Sequence, residues 1–187
     1  MMEPVRIESW AFSRSDAAVL VGMTGGQIGN YLTRYDLFPE RPKGKGYHVD
    51  FKLADLLRLC AVKVLIASHF TPEQAAFAMR TGRGLLSAMR NDGWGDDQEP
   101  LHTYPGTLFF GRDSAGEFVR ADGPHVVVAT LLRCWPIFDD LWPRVRAKIR
   151  DEGKLVPAPY PGDVEAGIDA FEAEIAALRA RRWNKGA

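Results

Sequence analysis

Between Phe12 and Phe38 the chain sets short apolar groups against polar ones at helical spacing. Ser13 is placed to cap a first helix, with Asp16 in its first turn. Ala17, Ala18, Leu20 and Val21 supply the apolar face, and Gly22 ends the helix as the residue most tolerant of a left-handed turn. Met23 covers the turn and Thr24 caps a second helix, in which Ile28, Tyr31 and Leu32 recur at i, i+3 and i+4. The opposite face carries Gln27, Asn30, Thr33 and Arg34, side chains that hydrogen-bond base edges and phosphates. Two short helices about a glycine turn describe a helix-turn-helix, and equally an ordinary helical hairpin.

Phe38-Pro39 stops this helical region. Residues 41–49 (RPKGKGYHV) are basic and broken by glycines, the make-up of a β-hairpin tip or wing. Helical periodicity returns from Asp50 to Ser68 through Leu53, Leu56, Leu57, Cys60 and Val64. It restarts at Thr71-Pro72-Glu73 and runs to Arg80, and a further short helix is expected over Arg83 to Arg90. Residues 91–100 are polar, acidic and glycine-rich, which reads as a linker. The period then changes. Thr107–Phe110, Glu117–Arg120 and His125–Thr130 read as strands separated by turns, an antiparallel meander. A helix from Pro136 or Ile137 to Arg150 and a final helix from Asp163 are the expected covers, joined by the proline-rich connector 154–162.

The expected fold class is α+β. Residues 1–84 form a mainly helical winged helix-turn-helix unit, residues 85–100 a helix and linker, and residues 101–187 a small antiparallel sheet with packing helices. The last helix carries Val164, Ile168, Phe171, Ile175 and Leu178 at spacings of 4, 3, 4 and 3. Such a seam serves either to pair two subunits or to pack on the chain's own sheet. The basic residues that follow it, Arg179, Arg181, Arg182 and Lys185, read as a solvated helix end.

Composition adds less. With 187 residues and 46% hydrophobic content the chain can build real cores. Lysine plus arginine equals aspartate plus glutamate at 24 each, so net charge does not single out a nucleic-acid binder. Its distribution is more telling. Residues 34–63 hold seven Lys/Arg against four Asp/Glu, whereas residues 83–160 hold ten against eleven. The local basic excess falls on the wing and its flanks, where a DNA footprint belongs, and its modest size calls for dimerisation. No apolar run reaches the roughly 18 residues of a membrane span, and residues 1–10 lack a signal-peptide hydrophobic region.

At this point the chain resembles a known family. The order helix-turn-helix, wing, GYHVDFKLADLLRL and then HFTPEQAAFAM is similar to the DNA-binding domain of MerR-type winged-helix regulators, over roughly residues 10–82. Gly46-Tyr47-His48, Ala54-Asp55-Leu56 and His69-Phe70-Thr71 occupy the family's characteristic places. The chain departs from the pattern at Gly25-Gly26 and at Gly29, where glycines stand within the recognition helix. Tyr35-Asp36-Leu37-Phe38 replaces the shorter run that follows it. The resemblance implies a dimeric, cytoplasmic transcription regulator on double-stranded DNA, with an effector or protein partner at the C-terminal part.

Within that reading Gln27, Asn30 and Thr33 are the candidates for base edges. Arg14, Thr24, Tyr31, Arg34, Arg41, Lys43, Lys45 and His48 are the candidates for the DNA backbone. Val164, Ile168, Phe171, Ile175 and Leu178 are the candidates for dimerisation. The competing reading is an accessory or architectural module with little sequence preference, of phage or plasmid type, which the glycines and neutral charge favour. Nothing points to catalysis. His48, His69, His102 and His125 are scattered, without metal-ligand spacing. Thr24–Gly29 (TGGQIG) follows no strand and precedes no lysine, so it is no phosphate loop. No cofactor is expected. Cys60 and Cys134 read as two buried thiols, with a redox switch as the lesser alternative.

Overall fold

The computed structural model describes residues 2–41, 49–80, 85–90, 107–112, 118–120, 128–155 and 159–184. These residues are mostly helical. The N-terminal part contains α1 (Arg14–Val21), α2 (Gly25–Thr33), α3 (Leu53–Ala67), α4 (Pro72–Arg80) and α5 (Leu85–Arg90). Strands β1 (Thr107–Arg112), β2 (Phe118–Arg120) and β3 (Val128–Arg133) follow, then α6 (Cys134–Gly153) and α7 (Val164–Asn184).

Local signals set the helix ends. The Ser13 hydroxyl accepts from Asp16 N at 3.1 Å while the Asp16 carboxylate accepts from Ser13 N at 3.3 Å, a reciprocal cap on α1. Gly22 closes α1 with φ 68°, the left-handed region in which a side chain is strained. Thr24 and Gln27 repeat the reciprocal cap on α2, and Thr71 and Gln74 repeat it on α4. Asp163 caps α7 by accepting from Ala166 N at 3.0 Å.

The buried residues form one cluster running from Val5 to Leu178. Its centre is α3, which packs against α1, α4, α5 and α6. Leu53, Leu56, Leu57, Leu59, Ala61, Val62 and Leu65 of α3 are all within 1% of full burial, on two faces of the helix rather than one. That is what a helix covered on several sides requires.

The N-terminal arm ties the ends of the chain together. Val5 N donates to Asp163 O at 3.1 Å, and Asp163 N donates to Glu3 O at 2.8 Å. Trp10 is fully buried, donates from Nε1 to Glu152 at 2.7 Å, and meets the Tyr160 ring at 4.4 Å. The Tyr160 hydroxyl accepts from Ala11 N at 2.7 Å.

The strands do not form the expected meander. The order is β2-β1-β3, with β1 in the middle and antiparallel to both neighbours. Residues 125–127 of the β-branched run lie outside the described residues, and β3 leads straight into α6. It pairs with β1 from Thr107↔Arg133 to Arg112↔Val128, and among the described residues β2 pairs with Phe110 to Arg112.

The seam on α7 has a different destination from either one expected. Ile168, Phe171, Ile175 and Leu178 are buried in the cluster of this same chain, and Val164 packs on its edge. Phe171 meets the rings of Trp142 at 4.9 Å and Phe138 at 6.2 Å, both on α6. Polar groups frame this helix pair. Trp142 Nε1 donates to Glu172 at 2.8 Å, Arg146 pairs with Glu172 at 2.9 Å, and Arg150 forks onto Glu165. These five residues therefore face α6 or the core, and their apolar area is already spent within one protomer.

Candidate nucleic-acid interface

The first two helices present α2 outward. Ile28 and Tyr31 turn into the core, at 0% and 5% exposure, and half-buried Leu32 packs beside them. Gln27, Asn30, Thr33 and Arg34 are exposed on the other side. α3 fixes this pair from behind. Lys63 donates from Nζ to Val21 O at 3.0 Å and to Gly22 O at 3.3 Å, satisfying carbonyls that the end of α1 leaves open. Arg80 of α4 donates to Tyr35 O at 2.9 Å, which holds the exit from α2.

The base-edge candidates differ in what they have free. Asn30 makes no side-chain hydrogen bond among the described residues, so its amide keeps both the donor and the acceptor that an adenine edge needs. Gln27 does not. Its carbonyl oxygen accepts from Thr24 N at 2.7 Å, so a two-pronged base contact would break the cap on α2. The Thr33 hydroxyl donates to Gly29 O at 2.9 Å and keeps acceptor capacity only.

The backbone candidates also separate. Arg34 extends into solvent with 69% of its side chain exposed, 3.9 Å from Glu73. Arg14 is exposed and lies against α2, donating from Nε to Gly25 O at 3.2 Å. The Thr24 hydroxyl accepts from Gln27 N at 3.1 Å and so serves the helix start. Lys43, Lys45 and His48 lie outside the described residues. Tyr31 is a correction. Its side chain is buried against Tyr35 at 5.4 Å, and burial raises its phenol above the ordinary value, so it shapes α2 from within.

Arg41 is a second correction. It pairs with Asp55, and only 17% and 13% of the two side chains is exposed. Its guanidinium lies over the rings of Phe38 at 4.7 Å and Phe51 at 5.0 Å. Arg58 covers Phe38 too, at 5.1 Å, and donates to Leu37 O. Asp55 also accepts from Lys52 N at 2.8 Å, capping α3. Phe51 and Phe12 exchange backbone hydrogen bonds of 2.8 Å in both directions. Arg41 thus anchors the chain on the near side of the expected wing, and the Phe51–Phe12 bridge anchors the far side. Arg41→Ala should lower stability by about 2–3 kcal/mol, because it strands a mostly buried carboxylate. Urea unfolding measures this, and a loss below about 0.5 kcal/mol would return Arg41 to the surface.

Sequence spacing missed three groups that hold this interface: Asp55, Lys63 and Glu152. Each acts on a residue 14 or more positions away, and no local pattern signals that. Lys148 belongs with them. It pairs with Asp16 at 2.6 Å and with Glu152 at 3.1 Å, which docks α6 on the capped start of α1. Burial works to raise the Asp16 carboxyl, but hydrogen bonds from Lys148 and Ser13 outweigh it and hold the group below its ordinary value. Cys60 and Cys134 are buried and not joined to each other, and burial pushes the Cys60 thiol up to about 11, which suppresses thiolate chemistry there. Among the described residues no three His, Cys, Asp or Glu side chains gather as metal ligands, and no helix is long and apolar enough to cross a membrane.

Residues 12–81 match the family model described as MerR HTH family regulatory protein. This segment is MerR-like. The match covers α1 to α4, from the Phe12 bridge to the residue after Arg80, and so includes the exposed face of α2 and the α3 and α4 groups behind it, but not Trp10, Lys148 or Glu152. A MerR-like helix-turn-helix supports DNA binding and regulation of transcription. No curated protein matches the chain.

Proposed function

We propose that the chain is a sequence-specific transcription regulator of MerR-like type, acting as a dimer in the cytoplasm and responding to an effector or protein partner through the residues beyond 100. The observation that carries the proposal is the exposed face of α2. In a MerR-like segment, a helix held on its buried side by Ile28 and Tyr31 leaves Asn30, Thr33 and Arg34 side by side in solvent. A helix so presented suits the major groove, with Asn30 reading an adenine edge and Arg34 on the phosphates. Lys43, Lys45 and His48 are proposed to add phosphate contacts from the wing.

The C-terminal helices are proposed to brace this unit rather than to stand apart from it. α6 packs against α1, α3 and α5, and the Asp16–Lys148–Glu152–Trp10 chain of contacts ties its end to the start of α1. A ligand or partner acting on α6 would therefore bias the helix-turn-helix directly. The packing of the α7 seam on α6 supports a reading in which two subunits pair through another surface.

A second reading, an accessory module assembling on DNA with little sequence preference, is favoured by one observation. The glycines at 25, 26 and 29 leave few side chains on the reading face of α2.

Selection of bound duplexes from a random-sequence pool, with the winners titrated at two salt concentrations, separates the two. A regulator enriches a motif with paired half-sites, and its affinity falls steeply with salt. Asn30→Ala should then relax one motif position and leave the salt dependence unchanged. Binding without an enriched motif would move the assignment to the accessory module, and absence of binding would remove both readings.

A further inference from the structure

Gly29 lies in the second turn of α2, and the space beside it holds a side chain from another helix. A Cβ on Gly29 would stand 3.3 Å from Arg14 Cζ and closer still to Nη2. The helical backbone at Gly29 does not call for glycine, and glycine weakens a helix. Room for Arg14 is the feature of the fold that accounts for it. Gly25, one turn earlier on the same side, has open space around it. Together they leave a bare strip along α2 that ends at Thr33 and borders Asn30.

The guanidinium in that strip is oriented. Nε and Nη2 both donate to Gly25 O, which fixes one edge of the plane against the helix. The opposite edge, Nη1 with the second hydrogen of Nη2, is left as a parallel pair of donors. Unlike Arg90, Arg144, Arg146, Arg150 and Arg179, Arg14 has no carboxylate partner among the described residues, so its charge is not neutralised.

We propose that Arg14 is a base-reading residue, supplied by α1 through the gap at Gly29, and that its ligand is the major-groove edge of a guanine. This rests on the DNA-reading function proposed above. Two parallel donors match guanine O6 and N7, the commonest arginine contact of this kind. Anchoring on a carbonyl of α2 itself holds the fork beside Gly29, next in sequence to Asn30 and one turn before Thr33, and reduces the entropy lost on binding.

The test is the random-pool selection repeated with Arg14→Ala, Arg14→Lys and Gly29→Ala in the full chain. The duplex selected by the parent protein serves as the common probe. The parent motif should contain a guanine that all three variants cease to require, with affinity for the probe falling about 10- to 100-fold. Arg14→Lys keeps the charge but loses the fork. Gly29→Ala keeps Arg14 but evicts it, and its unfolding temperature should not fall, since alanine is the better helix former. Unchanged selection by Gly29→Ala, or full retention of motif and affinity by Arg14→Lys, would overturn the proposal and leave Arg14 a phosphate contact. Failure of the parent protein to enrich any motif would overturn the regulator reading itself, and this inference with it.

Discussion

Trp10→Ala should cost about 3–5 kcal/mol of folding stability, the range for deleting a large, fully buried aromatic side chain. Trp10 has no exposed surface, and its ring lies against Tyr160. Its Nε1–H is the donor to Glu152, which also pairs with Lys148. The indole therefore joins the connector before α7, the end of α6 and the entry to α1. Truncation opens a cavity at that junction and removes a hydrogen bond from a carboxylate with 19% of its side chain exposed. Trp10→Phe keeps most of the ring and loses mainly the hydrogen bond, so it should cost about 1–2 kcal/mol. Equilibrium urea unfolding of the three proteins measures both. A loss below about 1 kcal/mol for Trp10→Ala would show that the arm does not pack between the two halves.

Phe171→Ala should cost a comparable amount, about 3–5 kcal/mol, and the loss should not depend on protein concentration. Its ring is 6% exposed and lies among Trp142, Phe138 and the α6 surface. An intramolecular contact weakens folding equally at any dilution, whereas a subunit contact weakens association and makes the unfolding midpoint move with concentration. Thermal unfolding at two concentrations differing about tenfold, with sedimentation of the folded variant, tells them apart. A stable Phe171→Ala protein that dissociates into monomers would restore the α7 seam to a dimer interface.

These two residues show where sequence reasoning reaches and where it stops. The period of 3.5 in α7 correctly marks residues that leave water, but an apolar stripe carries no address. Another subunit, a sheet or a neighbouring helix all satisfy it, and α6 wins because its own row of Ile137, Phe138, Leu141, Trp142 and Val145 is available in the same chain. Arg41 fails as a surface candidate for a related reason. A cation beside glycines looks solvated until Asp55 and two phenylalanine rings are brought to it by the turn into α3. The glycines of α2 look like defects in a reading helix when read along the chain. Only the approach of Arg14 gives Gly29 a purpose.

The helix-turn-helix itself was legible because its signals are local. Ser13 with Asp16, Gly22, Thr24 with Gln27, and Thr71 before Pro72 act within a turn or two of their own position, where chain connectivity guarantees the encounter. Those residues set the helix limits and the outward face of α2 before any packing is known. Strand order, the partner of α7, the burial of Tyr31 and Arg41 and the reach of Lys148 to Asp16 depend on which elements meet in space. Trp10 and Glu152 are 142 positions apart. A contact of that separation costs loop-closure entropy that only the summed burial of the whole core offsets, so its selection belongs to the folded molecule and leaves no mark in either local sequence.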